Sequence, residues 1–181
     1  MQLNRFTLMV MRSDKRGNNV YLCLGSNVGD RLLYLDEAGK QLQLIATEPI
    51  EFSEVYESQP WGNELLNPFL NCVVHVKTGL APIQLLKKVQ EIELGMGRLE
   101  KSRGGQYQNR VIDIDILTYN NATIDSLCLT IPHPLLTNRK FVLLPFVDLA
   151  PEFCLPYSLK SIKNDLQECQ DELECALFVQ K

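Results

Sequence analysis

The stretch Arg110-Val111-Ile112-Asp113-Ile114-Asp115-Ile116-Leu117-Thr118-Tyr119 decides the fold class. Between Ile112 and Ile116 apolar and acidic residues alternate strictly, which is the period of a β-strand. Ile112, Ile114 and Ile116 then face a core, and Asp113 and Asp115 share the opposite face about 6.5 Å apart. Aspartate is a poor strand residue, and two like charges at that distance repel. One reading is a solvated outer face. The other is that the pair holds Mg²⁺, a hard cation that takes one or two carboxylates and completes its shell with phosphate oxygens.

Upstream of this strand, Val20-Tyr21-Leu22-Cys23-Leu24 reads as a short buried strand stopped by Gly25. Asp30 is the expected N-cap of a helix to Ala46, with Leu32, Leu35, Ala38, Leu42 and Ile45 as its apolar stripe. Strands are expected at Ile50–Tyr56 and Phe69–Lys77, joined by a loop with Pro60, Trp61, Gly62 and Pro68. Pro82 opens a second helix with Ile83, Leu86, Val89 and Ile92 on one face, and Gly95 and Gly97 end it. Leu127–Ile131 and Phe141–Leu144 read as short strands or extended segments. A last helix from about Ser158 is expected to turn Ile162, Leu166, Cys169, Leu173 and Leu177 inward. Strands and helices mix without regular alternation, which points to an α+β fold built on a largely antiparallel sheet flanked by helices. Residues 1–19 read as a loosely held extension and 20–181 as a single domain.

The chain has 181 residues, of which 45% are hydrophobic and 22% charged, with a formal net charge of −4. Such a composition excludes a disordered chain, and no apolar run approaches the ~20 residues of a membrane span. The acidic balance argues against a nucleic-acid partner. The six cysteines form no Cys-x-x-Cys, and neither His75 nor His133 lies near a cysteine pair, so a zinc site is not expected. They read as buried small hydrophobes in a reducing cytoplasm.

The net charge hides a local contrast. Residues 97 to 110 carry Arg98, Lys101, Arg103 and Arg110 against Glu100 alone, a local +3 in a chain of −4. Glycines make this segment mobile, and arginines supply planar forks suited to phosphate oxygens. A basic loop beside two carboxylates is what phosphoryl transfer requires. The P-loop pattern is missing, and Gly95-Met96-Gly97 lacks the third glycine of a dinucleotide fingerprint. His133, fixed between Pro132 and Pro134, lies close enough to Arg139 in sequence to share an anion with it. Phe69, Asn71 and Phe141 are either core residues or an aromatic slot with an amide for a flat heterocycle.

Five blocks then occur in order between Val20 and Pro156. They are Leu24-Gly25-Ser26-Asn27, Phe69-Leu70-Asn71, Glu93 with Gly97-Arg98, Arg110-x-x-Asp113-x-Asp115-Ile116-Leu117, and Ile131-Pro132-His133-Pro134 through Arg139-x-Phe141. Together they resemble the 6-hydroxymethyl-7,8-dihydropterin pyrophosphokinases of folate synthesis. The resemblance implies a ferredoxin-like fold and transfer of diphosphate from ATP to the pterin hydroxymethyl group, releasing AMP. It implies two Mg²⁺ ions on Asp113 and Asp115, with Arg98 and Arg110 on or beside a loop that closes over the triphosphate. Phe69 and Phe141 would sandwich the pterin, while Asn71, Ser58 and the backbone near Trp61 bond its edge. Gln90, Glu93, Arg110, Ile116, Thr130, His133 and Arg139 would line the ATP site. No membrane, nucleic acid or obligate protein partner is implied. The chain departs from the family at Glu100, where an arginine is common, and Lys101 or Arg103 would then replace that contact. It departs again at Tyr107, in place of a tryptophan, at Gln59, in place of a proline, and in a slightly longer loop.

Two other classes fit the bare residues. A nucleotidyltransferase or cyclase also uses paired carboxylates on an antiparallel sheet, but releases pyrophosphate and does not need Phe69, Asn71 and Phe141. A ferredoxin-like binding module would leave Asp113 and Asp115 merely exposed. No residue stands out as a general base.

Overall fold

The computed structural model describes residues 17–62, 65–98 and 108–180. Its first strand, β1 (Asn18–Ser26), leads into helix α1 (Arg31–Gln43). The Asp30 carboxylate accepts the Leu33 backbone N–H at 3.1 Å, so the expected cap is made. β2 (Glu51–Phe52), β3 (Tyr56–Ser58) and β4 (Phe69–Thr78) follow, then α2 (Pro82–Gly95), which Pro82 opens. β5 (Asp113–Tyr119), β6 (Ile124–Asp125), β7 (Thr130–Ile131), α3 (Lys140–Leu149), α4 (Ile162–Glu168) and β8 (Cys175–Leu177) complete the order.

The main sheet runs β5-β1-β4-β3-β8, with β2 also on β4, and every pairing is antiparallel. β2 and β3 act as one interrupted strand. Ser53 sits at the break, where its hydroxyl accepts the Val73 N–H at 2.9 Å while its own N–H reaches the Val73 carbonyl at 2.9 Å. The order, with the last strand of the βαββαβ unit beside the first, is the ferredoxin-like arrangement.

Both faces of the sheet are covered. On one, Leu22, Leu24, Val74, Ile114 and Ile116 pack with Leu35, Ala38 and Leu42 of α1 and Leu85, Val89 and Ile92 of α2. On the other, Cys23, Val73 and Leu117 pack with Leu143, Phe146 and Ile162 from α3 and α4. The α2 stripe is rotated from the expected one: Leu85 is buried and Ile83 is 42% exposed. No helix among the described residues is long and apolar enough to cross a membrane.

Four other expectations change. β1 begins at Asn18 and passes through Gly25 to Ser26, because a residue with no side chain fits between two crowded partner strands. Phe141–Leu144 is helical, since the Lys140–Leu149 segment has a second sheet face to cover. The long C-terminal helix stops at Glu168, and Cys175–Leu177 instead pairs with β3, whose free edge needs hydrogen-bond partners. Leu177 is accordingly 52% exposed rather than inward. Finally, only Cys23 and Cys72 are buried thiols; Cys128 and Cys154 are exposed, and Cys169 and Cys175 are half-buried.

Candidate active site

Gly25 stands opposite Asn71 on one neighbouring strand and Asp113 on the other. The ends of the three central strands therefore form one row. A Cβ on Gly25 would lie 3.0 Å from Asn71 Oδ1 and 3.6 Å from the Phe69 ring, so the glycine permits this close approach.

Next to the row is a cavity of about 60 Å³ whose wall includes Ser58, Trp61, Phe69, Asn71 and Phe141. These are the five residues that the resemblance assigns to the pterin. Asn71 Nδ2 donates to Ser58 Oγ at 2.8 Å, with both residues buried. The Arg139 guanidinium lies 4.7 Å from the Trp61 ring centroid and 5.6 Å from that of Phe141. Arg139 is only 9% exposed, and its Nε has no hydrogen-bond partner among the described residues.

A wider groove of about 480 Å³ adjoins the cavity and is lined by Gln90, Glu93, Ile116, Thr130 and His133, among others. Among the described residues only Arg110, Asp113, Asp115 and Arg139 line both spaces. At this junction Asp113 accepts from Arg98 at 2.5 Å and from Arg110 at 2.6 Å. Arg98 also donates to Glu93, which in turn accepts the Ile114 N–H at 2.8 Å. Glu93 is 3% exposed, so one buried acid holds both a cationic side chain and the strand that carries the aspartates.

Burial first, and then the charge of Asp113, push the Asp115 carboxyl up to about 7, against the pull of Arg139 and Arg110. Both aspartates are half-buried and line the two spaces at once, an arrangement unlike a free outer face. The pair's chemistry fits a divalent cation: two hard oxygen donors, one of them penalised for its own charge. Among the described residues no three His, Cys, Asp or Glu side chains converge into a self-sufficient metal cage. A carboxylate pair is the donor set of a Mg²⁺ site that completes its shell with substrate oxygens.

His133 is held by its backbone, whose N–H donates to the Leu117 carbonyl at 2.9 Å. The Leu135 N–H donates to its ring Nδ1 at 3.2 Å, which puts the proton of the neutral ring on Nε2. Burial and the nearby Arg139 cation lower its pKa to about 4. It enters the groove as a neutral donor.

All the candidate residues thus converge, divided between two adjoining spaces. Glu100, Lys101, Arg103 and Tyr107 of the basic loop lie outside the described residues. Sequence reasoning missed an amide network. The Asn27 side chain accepts the Arg110 N–H at 2.7 Å and donates to Asn109 Oδ1 at 2.7 Å and to the Asn67 carbonyl at 3.1 Å. Asn67 returns a bond to the Asn27 carbonyl at 3.3 Å. The only signal was the position of Asn27 in Leu24-Gly25-Ser26-Asn27, which assigned it no role.

Comparison with known proteins shows the family of the chain. Residues 21–151 match the profile of the 7,8-dihydro-6-hydroxymethylpterin-pyrophosphokinase family. A 2-amino-4-hydroxy-6-hydroxymethyldihydropteridine pyrophosphokinase of Porphyromonas gingivalis is 44% identical over 133 residues, covering 73% of this chain and 90% of its own. The enzyme of the same name from Aquifex aeolicus is 42% identical over 145 residues, covering 80% of this chain and 88% of its own. A solved HPPK-DHPS chain in complex with substrates superposes with a TM-score of 0.68 at 17% identity over 84% of this chain. That likeness concerns the fold, and the present chain spans 43% of the length of that one. The chain belongs to the 7,8-dihydro-6-hydroxymethylpterin-pyrophosphokinase family.

Proposed function

We propose that the smaller cavity is the pterin site, the wider groove the ATP site, and the Asp113–Asp115 junction the place where diphosphate passes between them. The reaction is that of the family: diphosphate moves from ATP to the hydroxymethyl group of 6-hydroxymethyl-7,8-dihydropterin in folate biosynthesis, and AMP is released. One observation carries the assignment of residues. The two spaces have separate walls, one aromatic and amide-bearing, the other polar and groove-like, and among the described residues share only two carboxylates and two arginines.

In this reading Phe69 and Phe141 hold the flat ring from its two faces, and Asn71 and Ser58 read its polar edge. Gln90, Thr130, Ile116 and the Nε2–H of neutral His133 receive the nucleotide. The substrate hydroxyl oxygen attacks the β-phosphorus in line and gives up its proton to water. A new P–O bond forms as the bond to the α-phosphate oxygen breaks, and AMP carries away that electron pair. Arg110 and Arg98, aimed by Asp113 and Glu93, and Arg139, with an unpaired Nε, stabilise charge on the phosphate oxygens. Asp113 and Asp115 would hold two Mg²⁺ ions, which when bound supply positive charge to the transferring phosphates.

Purified protein given ATP, Mg²⁺ and 6-hydroxymethyl-7,8-dihydropterin is expected to form AMP and the pterin diphosphate in equal amounts. Asp115→Ala and Arg110→Ala are each expected to lower kcat by about 10²–10³ with the circular dichroism spectrum unchanged. Pyrophosphate in place of AMP, or full activity in both variants, would refute the assignment.

A further inference from the structure

The stretch that matches the family profile ends at residue 151, yet the chain beyond it returns to the pterin side of the site. Helix α3 begins immediately after Arg139 and carries Phe141 in its first turn. Arg139 is extended at the N-cap position and its side chain caps nothing. The Lys140 N–H, which the helix itself cannot satisfy, donates instead to Asp171 Oδ2 at 2.9 Å. A carboxylate there also meets the positive end of the helix dipole. The second oxygen of Asp171 accepts the Leu173 N–H at 3.2 Å, which fixes the turn that presents it.

A few residues later the same segment forms β8 and pairs with β3, bringing Cys175 opposite Ser58. The bonding continues past both ends of the ladder. The Gln59 N–H donates to the Glu174 carbonyl at 3.0 Å, and the Phe178 N–H donates to the Val55 carbonyl at 2.8 Å. Trp61 and residues 168–173 also line a common cleft. Two parts of the pterin wall, Ser58 on β3 with the adjoining Gln59 and the Arg139–Phe141 start of α3, thus bond to one segment, and Trp61 shares a cleft with it. None of residues 168–178 is among the residues lining the ATP-side groove.

We infer that residues 169–178 form a brace that sets the pterin-side wall, with Asp171 as its positioning residue; the inference rests on the assignment of that wall to the pterin. The physical reason is the exposure of what is braced. Without β8 the three-residue β3 would be an unpaired outer edge, and α3 lacks a side-chain cap from its own N-cap residue. The brace acts chiefly on pterin binding, because of the wall residues it holds only Arg139 also lines the ATP-side groove. An element that merely stabilised the fold would affect both substrates alike.

The test uses the full chain with Asp171→Ala, Asp171→Asn and Phe141→Ala, together with a chain stopped after Glu168. Trp61 is the only tryptophan in the sequence, so its fluorescence reports pterin binding directly, and KM for ATP is measured alongside. Asp171→Ala is expected to weaken pterin binding about fivefold, the effect of one lost cap, with a clearly smaller change in KM for ATP. Asp171→Asn, which keeps an accepting oxygen, restores most of it, and the shortened chain loses more than Asp171→Ala does. If Phe141→Ala weakens pterin binding but Asp171→Ala does not, or if Asp171→Ala raises both constants equally, the brace is overturned. If Phe141→Ala has no effect on pterin binding, the assignment of the wall fails, and the brace with it.

Discussion

At the scale of single residues, His133 shows how much of the site's chemistry depends on surroundings. Its ring is partly buried, faces the cation of Arg139, and accepts the Leu135 N–H on Nδ1, all of which favour the uncharged form. The pKa is about 4 in the folded chain against about 6.5 in an unfolded one. The unfolded state therefore binds the extra proton first as the pH falls. The stability linked to this group is fully present above about pH 6.5 and is lost as the pH drops toward about 4, at a slope of up to ~1.4 kcal/mol per unit. Urea unfolding of the wild type and His133→Gln should show the wild type losing stability relative to the variant between about pH 7 and about pH 4.5. A difference that stays constant across that range would show that the ring is not held neutral. The histidine, its flanking prolines and Arg139 were all legible as neighbours in the sequence. The ring's protonation was not, because it depends on burial and on the distance to a charge.

Between elements, the coupling runs through Asn27, which lies just past the end of β1. It ties the β1–α1 turn to Asn67 ahead of β4 and to Asn109 and Arg110 ahead of β5. The Asn27 N–H also donates to the Arg110 carbonyl, at 3.2 Å. The pterin-side loop and the cationic approach to the carboxylates are thereby fixed to one buried amide. Asn27→Ala leaves several polar groups unsatisfied and is expected to cost about 3 kcal/mol, a fall in Tm of about 10 °C. Turnover should fall too, since Arg110 loses its backbone support. A melting temperature within about 2 °C of wild type would show that the network does not clamp these loops. Elements defined by their own periodicity were readable: β5 from its alternating isoleucines, α1 from its Asp30 cap, α2 from Pro82. Those whose state is set by a distant partner were misread. Phe141–Leu144 has the composition of a strand and becomes a helix under a sheet face, and residues 169–177 continue a helical stripe but end as an edge strand.

For the molecule as a whole, one sheet separates two cores, and the site sits at the end of the strands that both cores hold. α1 and α2 cover one face, α3 and α4 the other. The second layer is as integral as the first: Phe146 is fully buried and contacts Tyr21 and Phe153, at centroid distances of 4.6 Å and 5.4 Å. Phe146→Ala is expected to cost about 3–5 kcal/mol in denaturant unfolding. A loss below about 1 kcal/mol would mean that α3 and α4 are a detachable layer. The sequence alone determined the chemistry on offer: a carboxylate pair on one strand face, arginines before it, an aromatic and amide set elsewhere, and the α+β class. These follow from spacings of two to four residues, the range over which backbone geometry orients side chains. Tertiary structure decided that the candidates divide between two cavities meeting at Asp113 and Asp115, that His133 is neutral, and that Asp171 caps α3. Each of these depends on groups brought together from far apart in the chain, where burial and charge act through space and no local pattern records them.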